Sequence, residues 1–515
     1  MKILLVYPQY PPTFWSLKHA LDFVNKKAVM PPLGLLTIAS MLDEHELKLI
    51  DMNVNLVSDR DILWADFVFV SAMITQKDSA KKFIYKCKNL GAKVVAGGPL
   101  FNNLQQEFKE VDHFILNEGE ITLKLFLEDL KNDTLKKVYS SDQRPDIDSV
   151  PIPKWDLINV HDYAKMPLQF SRGCPFDCEF CDIANINGKI PRVKSPERFM
   201  QELNALYERG WRGSIMVVDD NFICNKTKAK ELLHELIKWR KEKKYKATYV
   251  TQISLNLADD EELLTLMQKA GFGSVFIGLE TPSSKSLEEC GKFHNKDRDM
   301  LQDIKKIHNH GLEVYGGFIL GFDHDDETIF STQFKFIQEA GIVVATVGLL
   351  NALPGTKLYY RLLDEGRLTN VSSGNNMDFS TNFVTKLEKG LLIRKYKRLL
   401  LSLYSVENYY NRVFNFLKDY NHVKNENSNI LNSLSFEAIT LFFKSIYVLG
   451  LKDKNRFYFW KMVFVCLLEC PNSLPKVLSQ AIYFIHYEKI FASEILKIDK
   501  KEPRFLPISS GIPST

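Results

Sequence analysis

Nothing in this 515-residue chain stays apolar long enough to cross a bilayer. The densest run, residues 457–470, is interrupted by Lys461 and falls short of the roughly 20 residues a span needs. No internal repeat of fixed period is present, which excludes solenoids and propellers. Cysteine is scarce, at eight residues, too few and too unevenly placed for a secreted disulfide scaffold. The apolar stretch after Met1 is too short for the core of a secretory leader, so the expected location is cytoplasmic. Charge of one sign is also lacking: 67 Lys and Arg stand against 63 Asp and Glu, and no nucleic-acid partner is expected. The near-balance hides an asymmetry. Residues 391–515 carry 18 Lys and Arg against 10 Asp and Glu, while the rest carries 49 against 53. A basic tail of this kind meets either solvent or an anionic surface. With 45% hydrophobic and 25% charged residues, the chain has the composition of a folded protein, and its length calls for two to four domains.

Three of the few cysteines are concentrated. Cys174, Cys178 and Cys181 lie in C-x3-C-x2-C spacing on one short segment, and no second Cys/His pair follows that would complete a zinc knuckle. A [4Fe–4S] cluster normally takes four thiolates; three leave one iron open to a substrate. With Phe180 before the last cysteine, the segment resembles the signature of the radical S-adenosylmethionine enzymes. That resemblance implies a [4Fe–4S] cluster whose open iron chelates S-adenosylmethionine and whose electron cleaves it to a 5′-deoxyadenosyl radical. Cys87, Cys224 and Cys290 show no such spacing, and Cys466 and Cys470 read as core thiols on one helix face.

Around these cysteines the chain alternates apolar β-type runs with helical ones. Strands are expected at 2–7, 47–51, 67–72, 93–96 and 113–116, with helices at 33–42 and 79–90. This is an α/β arrangement, an open Rossmann-like parallel sheet over residues 1–140. Ligands of such sheets bind beyond the carboxyl ends of the strands. Asp- and Pro-rich residues 141–166 read as a linker. Residues 167–370 then show six strands, at 167–171, 215–218, 247–253, 274–278, 314–320 and 343–350, a partial (β/α)6 barrel with its chemistry at the C-terminal mouth. Residues 371–515 form an aromatic-rich α-helical domain, with helices expected at 394–401, 409–418, 436–447 and 457–468.

The radical-enzyme resemblance assigns roles to the barrel's strand ends. Asp219, Asp220 and Asn221, after the second strand, match the place of a GGE-like motif that binds the methionine ammonium, though the glycines are missing. Glu280, in Gly278-Leu279-Glu280-Thr281-Pro282, matches a contact to the ribose or methionine carboxylate. Gly317, Ile319 and Gly321 resemble a G-x-I-x-G run along the adenine, and Phe180 joins this S-adenosylmethionine set. The plainer readings are turn formers at a strand end and glycines that relieve crowding in a narrow barrel.

Residues 1–370 together resemble the cobalamin-binding branch of this superfamily. Tyr10-Pro11-Pro12-Thr13-Phe14-Trp15-Ser16, Pro31-Pro32-Leu33-Gly34-Leu35-Leu36-Thr37, Val218-Asp219-Asp220-Asn221-Phe222-Ile223, Leu257-Ala258-Asp259-Asp260 and Asn351-Ala352-Leu353-Pro354-Gly355-Thr356-Lys357-Leu358-Tyr359 resemble the branch that contains the hopanoid C-2 methylase. The resemblance makes Tyr10, Ser71, Gln76, Gly97, Gly98, Pro99 and Glu118 candidate cobalamin contacts. The D-x-H-x-x-G loop of many corrinoid domains is replaced by Tyr7-Pro8-Gln9-Tyr10-Pro11-Pro12, so no histidine is expected below cobalt.

The implied activity is methylation of an unactivated carbon of a small or lipid-like substrate. An electron donor such as flavodoxin or ferredoxin is implied with it. The competing readings are a cobalamin-dependent cyclase or rearrangement enzyme without methyl transfer, a non-catalytic corrinoid or redox sensor, and a tRNA methylthiolase. The last needs an N-terminal cysteine trio, where this chain has only Cys87. The basic aromatic tail is expected to help enclose the substrate over the barrel mouth, with peripheral membrane contact.

Overall fold

The computed structural model describes residues 1–246, 248–370, 372–375, 377–420 and 436–499. The expected strand start at 247 and tail boundary at 371 lie outside the described residues.

Two six-stranded parallel sheets organise the chain. The first contains β1 (Lys2–Tyr7), β2 (Glu46–Asp51), β3 (Phe67–Ser71), β4 (Val94–Gly97), β5 (His113–Ile115) and β6 (Val138–Tyr139), in the order β2-β1-β3-β4-β5-β6. All neighbours are parallel, and strands such as β3, Phe-Val-Phe-Val-Ser, are apolar on both faces because helices cover both. The order reverses between β1 and β3, which opens a crevice at their carboxyl ends. Gly98-Pro99 and Glu118-Gly119 do more than end strands. They start helices Pro99–Leu104 and Gly119–Lys131, the first with proline at its opening position.

Residues 141–166 form an ordered seam rather than a free linker. Three 3-10 turns bury Ile147, Trp155 and Val160, and the Tyr163 hydroxyl donates to Asp51 of β2 at 3.2 Å.

The second sheet begins at β7 (Lys165–Leu168) and stops earlier than the expected 167–171. The Phe170 amide bonds to the Asp219 carboxylate instead of to a strand. Ser171–Arg172 (β8) then pairs antiparallel with Arg192–Val193 (β9) in a hairpin around the cysteine segment. The sheet continues with β10 (Ser214–Val217), β11 (Tyr249–Ile253), β12 (Phe272–Glu280), β13 (Glu313–Leu320) and β14 (Ala345–Leu349), in uninterrupted order from β7. Outer helices are sharply ended, for example Glu261–Ala270, which Asp260 caps and Gly271 closes at φ +98°.

Register places Gln252, Phe276 and Tyr315 side by side, with Gly278, Gly317 and Thr346 in the next row toward the mouth. Trp15, from the loop after β1, packs edge-on against Phe276 at 5.4 Å.

The tail forms helices Lys389–Leu403, Val406–Asp419, Phe436–Ser445, Arg456–Glu469 and Leu474–Asp499, with a π-helical turn Ile446–Lys452. The last long helix escaped the sequence reading. The tail helices cover the side and base of the barrel, while the segment before them reaches its mouth: Asn382 bonds Ala352 just beyond β14, and Phe383 joins the apolar cluster of Phe180, Phe322 and Leu350. Tyr396 and Tyr404 hydroxyls donate 2.7 Å bonds to Val347 and Ala345 carbonyls on the open edge of β14. Lys476 and Gln480 reach the base, where Lys476 bonds Glu313, Ser274 and the Gly273 carbonyl. An unpaired sheet edge thus has its carbonyls satisfied by aromatic hydroxyls.

Candidate active site

The cysteine segment is fixed at almost every residue except its thiols. Gly173 adopts φ +100°, and a side chain there would meet the Gly188 carbonyl at 2.8 Å. Its amide bonds Asp220 (2.9 Å), while the Cys174 amide bonds the Gly188 carbonyl (3.2 Å). Asp177 is held by Lys189 and Lys357, and Glu179 by Arg361. Phe176 stacks on His294 with ring centres 3.6 Å apart. Phe180 packs into an apolar cluster with Cys290, Phe322 and Leu358.

All three thiols are half-buried, and burial raises each pKa, that of Cys181 to about 12. Cys174 and Cys178 also raise Cys181, and Cys174 raises Cys178, so the thiols lie in one another's field, although among the described residues they are not drawn together into a closed set of metal ligands. This soft, desolvated trio of thiols fits an iron–sulphur cluster, whose positive irons would stabilise the thiolates that burial disfavours.

The strand ends treat their expected ligands unevenly. Asp219 is fully buried, accepting from the Phe170 amide and Ser171 hydroxyl (both 2.7 Å); burial pushes its pKa up to about 7. Asp220 accepts from Gly173 and from Asn187 Nδ2 through one oxygen, and Asn221 exchanges bonds with Ser254. These three residues therefore hold the entry to the cysteine loop, with Asp220 nearest the thiols, where it raises Cys174.

Glu280 sits at φ +65°, an uncommon backbone for a non-glycine residue, and pairs with buried Lys292 at 2.5 Å. The Lys292 ammonium is close enough to Cys178 and Cys290 for each to raise its pKa. Sequence reasoning missed Lys292; its only signal is a lysine following a cysteine and glycine. Gly317 leaves space for Phe276, whose ring a side chain there would meet at 2.7 Å. Ile319 joins the Phe180 cluster. Gly321, at φ +100°, makes a turn pinned by Asp325, a buried carboxylate that accepts the Gly321 and Phe322 amides and whose pKa burial raises to about 6.

In the first sheet a cavity of about 320 Å³ opens over the ends of β3, β4 and β5, lined in part by Ser71, Gly97, Gly98, Pro99 and Glu118. No histidine is among its lining residues. Gly98 has φ +90°, and a side chain on it would strike the Ser71 hydroxyl at 2.6 Å; one on Gly97 would strike the Ile115 carbonyl at 2.8 Å. A glycine floor, with apolar walls interrupted by Glu118, Glu120, Arg172, Lys194 and Glu202, fits a large flat ligand with polar substituents such as a corrinoid. Tyr10 is not among the lining residues; its hydroxyl bonds the Tyr7 hydroxyl and Met73 sulphur.

Two expected contacts are engaged otherwise. Gln76 is fully buried, tying the Pro8 carbonyl to the Met73 amide. Glu118 accepts from Arg172 (2.6 Å), Arg192 (2.5 Å) and Arg144 (3.3 Å), while Glu120 takes the other Arg172 nitrogen (2.6 Å). This cluster joins the first sheet to the residue two places before Cys174.

Comparison with known proteins agrees with this division. The B12 binding domain matches residues 23–127, the Radical SAM superfamily residues 168–333, and a domain of unknown function, DUF4070, residues 356–500. An uncharacterized methyltransferase of Synechocystis sp. is 37% identical, covering 96% of this chain and 93% of its own length. The hopanoid C-2 methylase of Rhodopseudomonas palustris is 35% identical over 73% of each chain. The solved structure of the cobalamin-dependent S-adenosylmethionine radical enzyme OxsB with aqua-cobalamin bound superposes with a TM-score of 0.62 at 14% identity, covering 97% of this chain and 80% of that one; it supports the fold alone.

Proposed function

This chain belongs to the cobalamin-binding radical S-adenosylmethionine family, and from that premise we propose that it methylates an unactivated carbon of a lipid-like substrate. It is a cobalamin-dependent radical methyltransferase using a [4Fe–4S] cluster, S-adenosylmethionine and cobalamin. When bound, these groups supply an electron, hydrogen abstraction and a transferable methyl group. One observation carries the reading: the cysteine hairpin and the glycine-floored crevice belong to different sheets, yet the Glu118–Arg172 cluster ties them together.

The chain's own residues position and protect. Cys174, Cys178 and Cys181 would hold three irons, with Asp219 and Asp220 fixing the loop that presents them. Lys292, held by Glu280 and lying in the field of Cys178, would supply a buried cation beside the cluster when it is bound. Gly317 leaves the space that the Phe276 ring fills beside β13, and Gly97 and Gly98 would admit the corrinoid. Phe14, Tyr404, Tyr487 and Phe491 pack on one another, ring centres 4.5–6.0 Å apart, where the tail meets the loop after β1. The relative named for a hopanoid supports an apolar substrate.

A cytoplasmic flavodoxin or ferredoxin is the electron donor in this reading. Exposed Lys189 and Lys357 beside the cysteine loop suit an acidic carrier. The test is anaerobic reconstitution with a polycyclic lipid substrate. Formation of both 5′-deoxyadenosine and S-adenosylhomocysteine, with a methylated lipid, is expected. 5′-Deoxyadenosine alone would replace methylation by another radical reaction, and neither product would make the protein a sensor.

A further inference from the structure

We propose that the paired helices of the tail, residues 436–452 and 456–469, dock this protein on an anionic lipid bilayer. The inference rests on the lipid-like substrate read above and adds the surface through which such a substrate arrives.

Phe443, Tyr447 and Leu451 recur every four residues and so share one helix face, 63%, 52% and 61% exposed. On the neighbouring helix Phe457, Phe464 and Leu468 are 73%, 61% and 83% exposed. The Trp460 indole donates to the Gly450 carbonyl at 2.9 Å, which fixes the two helices side by side. Soluble monomers seldom leave so many large apolar side chains together in water. No helix among the described residues is long and apolar enough to cross a membrane, so this face suits insertion into the interface rather than spanning.

Charge selects the occupant. Residues 440–470 hold five cations, at 444, 452, 454, 456 and 461, against Asp453 and Glu469. Lys452 lies 4.4 Å from the Tyr447 ring centre, placing a cation beside an exposed aromatic of the apolar stripe. That pairing matches an anionic headgroup layer above acyl chains.

The surface also leads inward. The Lys444 ammonium bonds the Asp22 and Phe23 carbonyls (2.7 and 3.2 Å). The same loop carries Phe14, stacked 4.5 Å from Tyr487, and Trp15, which meets Phe276 on the concave side of the barrel. The loop region that Lys444 holds thus carries aromatic contacts on to Phe276 of β12.

Co-sedimentation of the full-length holoenzyme with phosphatidylcholine vesicles, with and without phosphatidylglycerol, tests the proposal. Binding is expected only to the anionic vesicles, and it should weaken as salt rises. Phe457→Ser/Phe464→Ser/Leu468→Ser should lose binding by about tenfold or more, and Lys452→Glu/Arg456→Glu by about fivefold per cation removed, with circular dichroism melts unchanged. Equal binding to both vesicle types, absence of binding, or variants that bind like the parent would overturn it. So would a dimer in light scattering that the serine variant splits, since the face would then belong to a second copy. Vesicle binding is read without turnover: a chain that binds anionic vesicles yet methylates only a water-soluble substrate would keep this surface and lose the lipid reading.

Discussion

The two sheets have the same number of strands, all parallel, and yet hold their candidate ligands by different physics. In the first, the strand order reverses between β1 and β3, and the ligand space is a crevice floored by Gly97 and Gly98. Around that floor its charged lining, Glu118, Glu120, Arg172, Lys194 and Glu202, comes from outside that sheet's strands. In the second, the order runs without reversal from β7 to β14, so the sheet curls and its strand ends converge. There the strand ends themselves carry the ionic groups: buried Asp219, Glu280 with its partner Lys292, and Asp325, with half-buried Asp220.

The sharpest way to probe this contrast is to remove one side of it. Cys178→Ala should abolish 5′-deoxyadenosine formation, with iron and sulphide content falling, while cobalamin co-purifies as before. Loss of cobalamin from this variant, measured by its visible absorption, would show that the two sites are not separable. Gly98→Val is the converse. A side chain at φ +90° facing the Ser71 hydroxyl costs about 1–3 kcal/mol and fills the crevice, so cobalamin retention should collapse while 5′-deoxyadenosine still forms. Retained cobalamin would move the corrinoid elsewhere. The smallest effect belongs to the joint between the sheets. Glu118→Gln leaves Arg192 without a carboxylate partner among the described residues, and should lower unfolding stability by about 2–3 kcal/mol in a denaturant titration. It should also reduce methyl transfer more than it reduces 5′-deoxyadenosine formation. Equal losses of the two products would assign Glu118 to folding alone.

How much of this was readable before folding depends on the range of the interaction. β1 is a run of six residues that satisfies its own pattern, and the sequence reading placed it where the structure does. The cysteine trio was legible because its ligands are within eight residues. β6, two residues long, has no pattern to detect. The helix Leu474–Asp499 was missed although it is the longest among the described residues, because its face toward the barrel is mixed, with half-buried Lys476 and buried Gln480 and His486 on it. The partners that qualify the site are distant in sequence. Arg192 meets Glu118 across 74 residues and Arg172 across 54, and no local rule tells a reader that Glu118 is already engaged. The same holds for Asp219, which reads as a free acid at a strand end and is in fact the anchor for Phe170 and Ser171.

The tyrosine hydroxyls on β14 set a timetable. When Leu349 leaves the ribosome, the edge of the barrel has no covering, and the residues that cap it, Tyr396 and Tyr404, follow 47 and 55 residues later. At the usual rate of synthesis that is about 3–11 s during which a parallel sheet edge, the part of a fold most prone to pair with a stranger, waits for the tail. The barrel of this protein is therefore finished last at the side it began to expose midway, and a nascent chain cut short before the tail carries an adhesive strand where the whole one carries Tyr396 and Tyr404.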